Sequence, residues 1–357
     1  MGGITRYVQL LGTVMAERGH GVGVVSGGGA LEVSFDAKGV KTYRFPLRKK
    51  SILDPSLYFS FSKIAKLIKK EQYGILHAHT RVTQALASFL GKKTGVPVVS
   101  TCHGFFKYNL GRKIFPFWGD RVVAVSAPVA EELKKVHRVA VSKIRVIANA
   151  IDLKEAALRF AQKDSEAIRR QYKIPENSTV VCSIARLVQD KGPVILVRAM
   201  AELTPRHPDI FLLLVGDGRE KANLEKLIHE LNLTERAVIV PNLEDISTVL
   251  AVTDIFAHPA FYREGFGLGI AEAMAVGRPV VITDIPAVNS LFRPGECSVM
   301  AKPGDVSSLA GALRFLMEAP EEKKRIAQAG RNLVWSLCSL ERQADEMEAV
   351  YRELVPA

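Results

Sequence analysis

The stretch EGFGLGIAE, residues 264–272, carries two carboxylates eight positions apart. Glu264 falls in a loop after the strand-like run DIFAH, and Glu272 falls on a helix that begins near Gly267. Ionised carboxylates accept hydrogen bonds without donating them, so two held at a fixed separation suit vicinal sugar hydroxyls. Gly265 and Gly267 let the backbone approach a ligand closely. The first turn of the helix offers unpaired N–H groups at the positive end of its dipole, which suit phosphate or sugar oxygens. By spacing alone, a solvated loop acid and a helix-face acid fit the pair as well. Other polar groups follow other apolar runs: His103 follows VPVVST, Arg186 and Lys191 follow VVCSIA, and Gly216 and Gly218 follow IFLLLV. Loops at the carboxyl ends of strands are where open α/β sheets bind ligands.

The elements that must position these loops are legible as alternation. VGVVS, VKTYRF, GILHAH, VPVVST, RVVAVS and IRVIA read as short β-branched strands, separated by helical stripes such as Leu57, Phe61, Ile64, Leu67 and Ile68. After a polar stretch at 152–177 the pattern resumes with VVCSIA, IFLLLV, AVIV, DIFAH, PVVIT and SVMA. Strands alternating with helices imply parallel sheets covered on both faces. The expectation is an α/β chain of two doubly wound, Rossmann-like domains facing a cleft. Residues 1–155 form the first domain, 156–338 the second, and 339–357 a C-terminal helix that packs back on the first. The chain opens on a helix, because Ile4, Val8, Leu11 and Met15 make a stripe that Gly19 ends. A helix entered through Gly2 and Gly3 belongs to a β-loop-α unit, so the first domain has six strands where seven would complete it. The expectation is that the natural protein starts upstream with a short apolar strand.

Composition limits the function classes. The net charge is +12, but residues 1–150 hold 24 Lys+Arg against 8 Asp+Glu, a net of +16, which leaves −4 for the remainder. A one-sided basic field implies an anionic partner for the first half. Its lysines (Lys49, Lys50, Lys63, Lys66, Lys69, Lys70, Lys92, Lys93) are not interleaved with the aromatic platforms of single-strand binders, so no nucleic acid is expected. An anionic membrane surface or a phosphorylated acceptor fits, with Phe59 and Phe61 beside the lysines for shallow insertion and core packing favoured for Phe61. No signal peptide or membrane-spanning run is present, and a cytoplasmic protein is expected. Cys102, Cys182, Cys297 and Cys338 lack metal or disulfide spacing and read as buried small hydrophobes.

The order of motifs resembles a known family. The glycine pair with RGH (Gly2, Gly3, Arg18, Gly19, His20), ILHAH, the TCHG loop, NAID, ARLVQDKG and EGFGLGIAEAMAVGRPVV run in the order of retaining GT-B glycosyltransferases of family 4, the E-x7-E enzymes. The resemblance covers essentially the whole chain. It implies a GT-B fold, a nucleotide-diphosphate sugar held mainly by the second domain, and an acceptor held by the first. It makes Arg186 and Lys191 the cations that neutralise the donor diphosphate, with charge that strengthens as the sugar–phosphate bond breaks. It makes Glu272 the ribose ligand, Glu264 the ligand of the donor sugar's hydroxyls, and His103 the first-domain residue that reaches the transferred sugar. Gly2 and Gly3 resemble the loop that meets the diphosphate from the other side. Gly216, Gly218, Leu243, Gly265, Phe266, Gly267 and Leu268 complete the donor-binding set. His77 and His79 end a strand and read as core or lining residues.

The resemblance further implies transfer of a hexose with retention, a departing phosphate oxygen taking the acceptor proton. No D-x-D occurs, so metal independence and no cofactor are expected, the cations and the helix end supplying positive charge. A UDP-sugar is favoured as donor and GDP-mannose comes next, with a lipid-linked, lipopolysaccharide-type or otherwise anionic saccharide as acceptor. Two departures stand out: Ala150 replaces the glycine of the usual N-G-[IV]-D, which would strain a backbone of positive φ, and PNLED at the base-binding place does not identify the base. A nucleotide-sugar epimerase of the same fold and a non-catalytic subunit of a glycosylation complex are the alternatives.

Overall fold

All twelve apolar runs become strands, and every ladder between them is parallel. The computed structural model describes residues 3–28, 35, 38–47, 55–106, 110–262 and 264–355, with side chains masked at 55–59. Gly2, Lys49, Lys50 and the Phe59 side chain therefore lie outside the described residues. The chain divides into two compact units: Ile151–Ser339, and Gly2–Ala150 together with Leu340–Ala357. They are termed the C-terminal and N-terminal units. The divisions fall at Ala150/Ile151 and Ser339/Leu340, against the expected 155/156 and 338/339.

In the C-terminal unit, β7 (Thr179–Ile184), β8 (Ile210–Val215), β9 (Ala237–Val240), β10 (Ile255–His258), β11 (Val280–Thr283) and β12 (Val299–Ala301) form one sheet in the order β12-β11-β10-β7-β8-β9. The order reverses between β7 and β10, which pair directly through Ile255↔Val181 and Phe256↔Cys182. Crossovers from these two neighbours leave in opposite directions, opening a crevice beyond their carboxyl ends. Leu212, Leu213 and Leu214 of β8 are all buried, as a strand covered on both faces requires. One face packs against Leu196, Val197 and Met200 of the helix Pro193–Leu203, and the other against Ile168, Ile174 and Val249.

The N-terminal unit has six strands among its described residues, in two sheets. β1 (Gly23–Ser26) pairs with β2 (Lys41–Arg44), and β3 (Leu76–Ala78), β4 (Val98–Cys102), β5 (Arg121–Ala124) and β6 (Ile144–Val146) form the other. Both sheets share the same covering layers. On one face, α1 (Gly3–Glu17) and the C-terminal helix Leu340–Arg352 pack on Val99, Val123 and Ile147, with Val22 and Ile75 joining. On the other, Ile64 and Ile68 of α2 (Pro55–Lys70) and Leu86 and Leu90 of α3 (Arg81–Thr94) meet Val25 and Leu76. Helix α1 buries Tyr7, Leu10, Leu11, Val14 and Met15, whereas Ile4 of the predicted stripe is exposed. Gly19 ends the helix as expected, at φ +89, with His20 N–H donating to Met15 O. The C-terminal segment is tied to this unit by Arg18–Asp345 at 2.7 Å on the helix and by Arg121 and Arg145, each 2.6 Å from Glu353 just after it.

All four cysteines are buried and none is in a disulfide. Ala150 is buried too and is absent from the positive-φ residues, so the turn at NAID bears none of the strain its missing glycine raised. No helix among the described residues is long and apolar enough to cross a membrane.

Candidate active site

The C-terminal unit gathers its charged residues at the reversal point of its sheet. The loop after β7 makes a tight 3-10 turn at Gln189–Lys191, closed by Gly192 at φ +69. A Cβ on Gly192 would stand 2.0 Å from Pro259 O in the loop after β10, so glycine is dictated by two crossing backbones. Phe261 N–H donates to Asp190 O across the same crossing. These contacts bring Lys191 Nζ onto Glu264 Oε2, both side chains largely buried. His258, at the end of β10 and buried, places Nε2 3.5 Å from the same oxygen. Burial alone would raise the Glu264 carboxyl; His258 and Lys191 override it and hold it well below the usual carboxylate range. Glu264 is therefore an anion at neutral pH. Sequence reasoning missed His258, whose only signal is its place at the end of a strand flanking the reversal.

Other predicted residues take assorted positions. Arg186 is exposed in the same loop as Lys191. Gly216 and Gly218 follow β8, where a Cβ would come within 1.9 Å of Ala185 O and 2.1 Å of Leu187 O. Their lack of side chains is explained by the β7 loop, to which Leu187 N–H and Asp217 O add a bond of 2.9 Å. Leu243 is partly buried against Val240 and its cluster. Gly265 and Gly267 are buried, and Gly267 at φ +89 caps the helix Leu268–Ala275 without any side-chain cap. Phe266 is in the core, its ring edge-on to Phe292 at 5.9 Å. Leu268 opens the helix and Glu272 is half-buried on its second turn.

The N-terminal unit gathers imidazoles. His103 leaves the end of β4, and its Nε2 lies 3.2 Å from Nδ1 of His79, which leaves the end of β3. Tyr7 of α1 is buried, edge-on to His103 at 4.7 Å and tilted against His79 at 5.4 Å. His77 bonds through Nδ1 to Tyr351 of the C-terminal helix and through Nε2 to Thr101, both at 2.7 Å. Burial pushes His77 down to about 3 and His103 down to about 4, and His79 falls well below its ordinary value. All three are neutral at pH 7, so they act as hydrogen-bonding groups rather than charges. His79 occupies Nε2 of His103 and leaves Nδ1 as the ring nitrogen for another partner. By sequence His79 reads as a core or lining residue; its bond to His103 joins two residues 24 positions apart, which no local pattern encodes. Gly3 is the first described residue and starts α1.

Two family models match this chain: Glycosyltransferase Family 4 over residues 1–155 and Glycosyl transferases group 1 over residues 164–333. The chain belongs to this glycosyltransferase family. Its relatives include N-acetyl-alpha-D-glucosaminyl L-malate synthase of Bacillus anthracis, 23% identical with 97% of this chain and 92% of that protein covered. The UDP-Gal:alpha-D-GlcNAc-diphosphoundecaprenol alpha-1,3-galactosyltransferase of Escherichia coli is 26% identical, with 83% and 79% covered. The crystal structure of Anabaena Alr3699/HepE in complex with UDP-glucose superposes with a TM-score of 0.85 at 20% identity, covering 99% of this chain and 96% of that one. The fold is thus that of GT-B glycosyltransferases, and the chain is a group 1 enzyme that transfers a sugar from a nucleotide sugar.

Proposed function

We propose that this glycosyltransferase moves a hexose from a nucleoside-diphosphate sugar to a hydroxyl of an anionic or lipid-linked saccharide, with retention of configuration and no metal ion. The Lys191–Glu264 pair at the sheet reversal is the observation that carries this reading. Lys191, with Arg186 in the same loop, neutralises charge on the departing diphosphate, where it is worth most in a site shielded from water. Glu264, kept ionised, accepts hydrogen bonds from the donor sugar's hydroxyls, and Glu272 does so from the ribose. The uncapped N–H groups after Gly267 add further donors for oxygens. The protein's own cations take the part a metal ion would play.

In the transfer, the bond from the anomeric carbon to the diphosphate oxygen breaks and a bond to the acceptor oxygen forms on the same face. The acceptor proton passes to the departing phosphate oxygen, so no carboxylate base is required. The neutral histidine cluster of the N-terminal unit supplies hydrogen bonds to saccharide hydroxyls, led by His103.

A UDP-sugar is the first candidate donor, in keeping with the relatives' names, and a GDP-sugar the second. The basic N-terminal half favours an anionic acceptor at a membrane face in the cytoplasm. Incubation with a panel of UDP-, GDP- and ADP-sugars and a lipid-diphosphate saccharide tests this. Free nucleoside diphosphate with a new glycoside of unchanged anomeric configuration is expected. An isomerised donor would favour the epimerase, and no turnover the non-catalytic subunit.

A further inference from the structure

The basic helix α2, which the sequence offered for membrane contact, does not expose an apolar edge among its described side chains. Lys63, Lys66, Lys69 and Lys70 are exposed, but Phe61 packs against the cluster of Ile64 and Ile68. A different part of the N-terminal unit combines charge with exposed apolar groups. The short helix α4 (Leu110–Ile114) and the loop after it leave Leu110 69%, Ile114 57% and Phe115 57% exposed, and Phe89 on α3 is 44% exposed. Phe115 stacks on Phe117 at 5.9 Å, and Phe117 lies 5.3 Å from Phe89, which makes the strip continuous. Leu110 and Ile114 are four apart and share a helix side.

This outward display is built. Arg112 turns inward from α4, buried, with its guanidinium over the rings of Phe106 at 4.3 Å and Trp118 at 4.4 Å. Arg81, in the first turn of α3, donates to the carbonyls of Phe115 and Pro116 and lies 5.0 Å over the Phe117 ring. The loop's carbonyls are satisfied from within while its large apolar side chains face out. Exposed Lys92 and Lys93 stand three and four residues after Phe89, on its side of α3, and exposed Lys113 precedes Ile114. Residues 72–119 contain no Asp or Glu.

We propose that Phe89, Leu110, Ile114 and Phe115, with Lys92, Lys93 and Lys113, form a docking surface for an anionic lipid bilayer. The apolar groups enter the headgroup boundary and the lysines meet lipid phosphates. A protein interface would carry a rim of mixed polar groups around an apolar centre; among the described residues, the exposed charged groups beside this strip in the chain are Lys92, Lys93 and Lys113, with no carboxylate in residues 72–119. The proposal deepens the reading of a lipid-linked acceptor and rests on it for its biological use.

Flotation of the full chain with vesicles of phosphatidylcholine, with and without phosphatidylglycerol, tests it. The wild type is expected to bind the anionic vesicles at least about tenfold better. Leu110→Ser/Ile114→Ser/Phe115→Ser is expected to lower that binding at least about tenfold. Lys92→Gln/Lys93→Gln/Lys113→Gln is expected to lower it about a hundredfold and to flatten its salt dependence. Tryptophan emission of Phe115→Trp is expected to shift to the blue on anionic vesicles. Wild-type flotation in the serine variant, equal partitioning of the wild type onto neutral vesicles, or an unshifted Phe115→Trp would each overturn the proposal. Conversion of an oligomer to monomer by the serine substitutions, with flotation unchanged, would also overturn it, in favour of a protein interface. Donor turnover in the same preparations separates the two readings: turnover without vesicle binding removes the surface and leaves the transferase.

Discussion

The two units hold their functional groups in opposite electrical states. The N-terminal unit holds His77, His79 and His103 half-buried among one another and the hydroxyls of Thr101 and Tyr351, and desolvation keeps the three rings neutral. The C-terminal unit largely buries Glu264, yet Lys191 and His258 keep it charged. Burial is common to both, so the partner decides the state: an imidazole among imidazoles loses its proton, and a carboxylate beside an ammonium stays without one. The neutral cluster suits hydroxyl recognition, and the charged pair suits a ligand carrying a diphosphate.

Removing the ammonium breaks this contrast most severely. Lys191→Ala leaves the Glu264 carboxylate buried without its ammonium partner and, on the proposed role of Lys191, deprives the departing diphosphate of a cation. A loss of about 3 kcal/mol in transition-state stabilisation, roughly a hundredfold in kcat, is expected from steady-state assays. Near-normal kcat would contradict the role. Gly192→Ala tests the scaffold beneath it, since positive φ and the clash with Pro259 O act together. About 2 kcal/mol of stability should be lost on urea denaturation of this variant.

Acid separates the units by pH window. The unfolded chain binds protons at its histidines near pH 6.5, whereas folded His77 does so only near pH 3. Acid therefore favours the unfolded state, and stability falls as pH drops below 6.5, by on the order of 2 kcal/mol at pH 5 for His77 alone. Glu264, depressed below 4.5, contributes fully above that pH and loses its contribution only below it. The two tryptophans divide between the units, Trp118 in the N-terminal and Trp335 in the C-terminal. Urea melts of Trp335→Phe, reporting Trp118, should shift to lower midpoint between pH 7.5 and pH 5. Melts of Trp118→Phe should shift much less over the same interval. The smallest effect is expected at Ala150, whose ordinary backbone gains nothing from glycine. Ala150→Gly should cost about 0.5–1 kcal/mol through the entropy of the unfolded chain, read as a lower melting temperature; stabilisation would point to strain there.

Much of this was legible because it is local. Each strand is marked by β-branched residues between helical stripes, and His103, Lys191 and Glu264 stand in post-strand loops by sequence alone. What was hidden depends on distant chain. Gly216 and Gly218 suggest a ligand's approach in sequence, but the space beside them is taken by Ala185 O and Leu187 O. Phe266 sits within a motif yet packs on Phe292, and His77 finds Tyr351 across 274 residues. The exposed strip at Leu110–Phe115 was unreadable because nothing local says which apolar residues a fold leaves uncovered.

The division of labour between the units is tested most directly by titrating UDP, GDP and ADP onto the wild type, Lys191→Ala and His103→Ala. For the tightest-binding nucleotide, the account predicts that Lys191→Ala weakens binding at least about tenfold, as loss of a charge-assisted contact should. His103→Ala is predicted to bind it as the wild type does while losing sugar transfer. Equal weakening by both substitutions, or full nucleotide affinity in Lys191→Ala, would contradict the account.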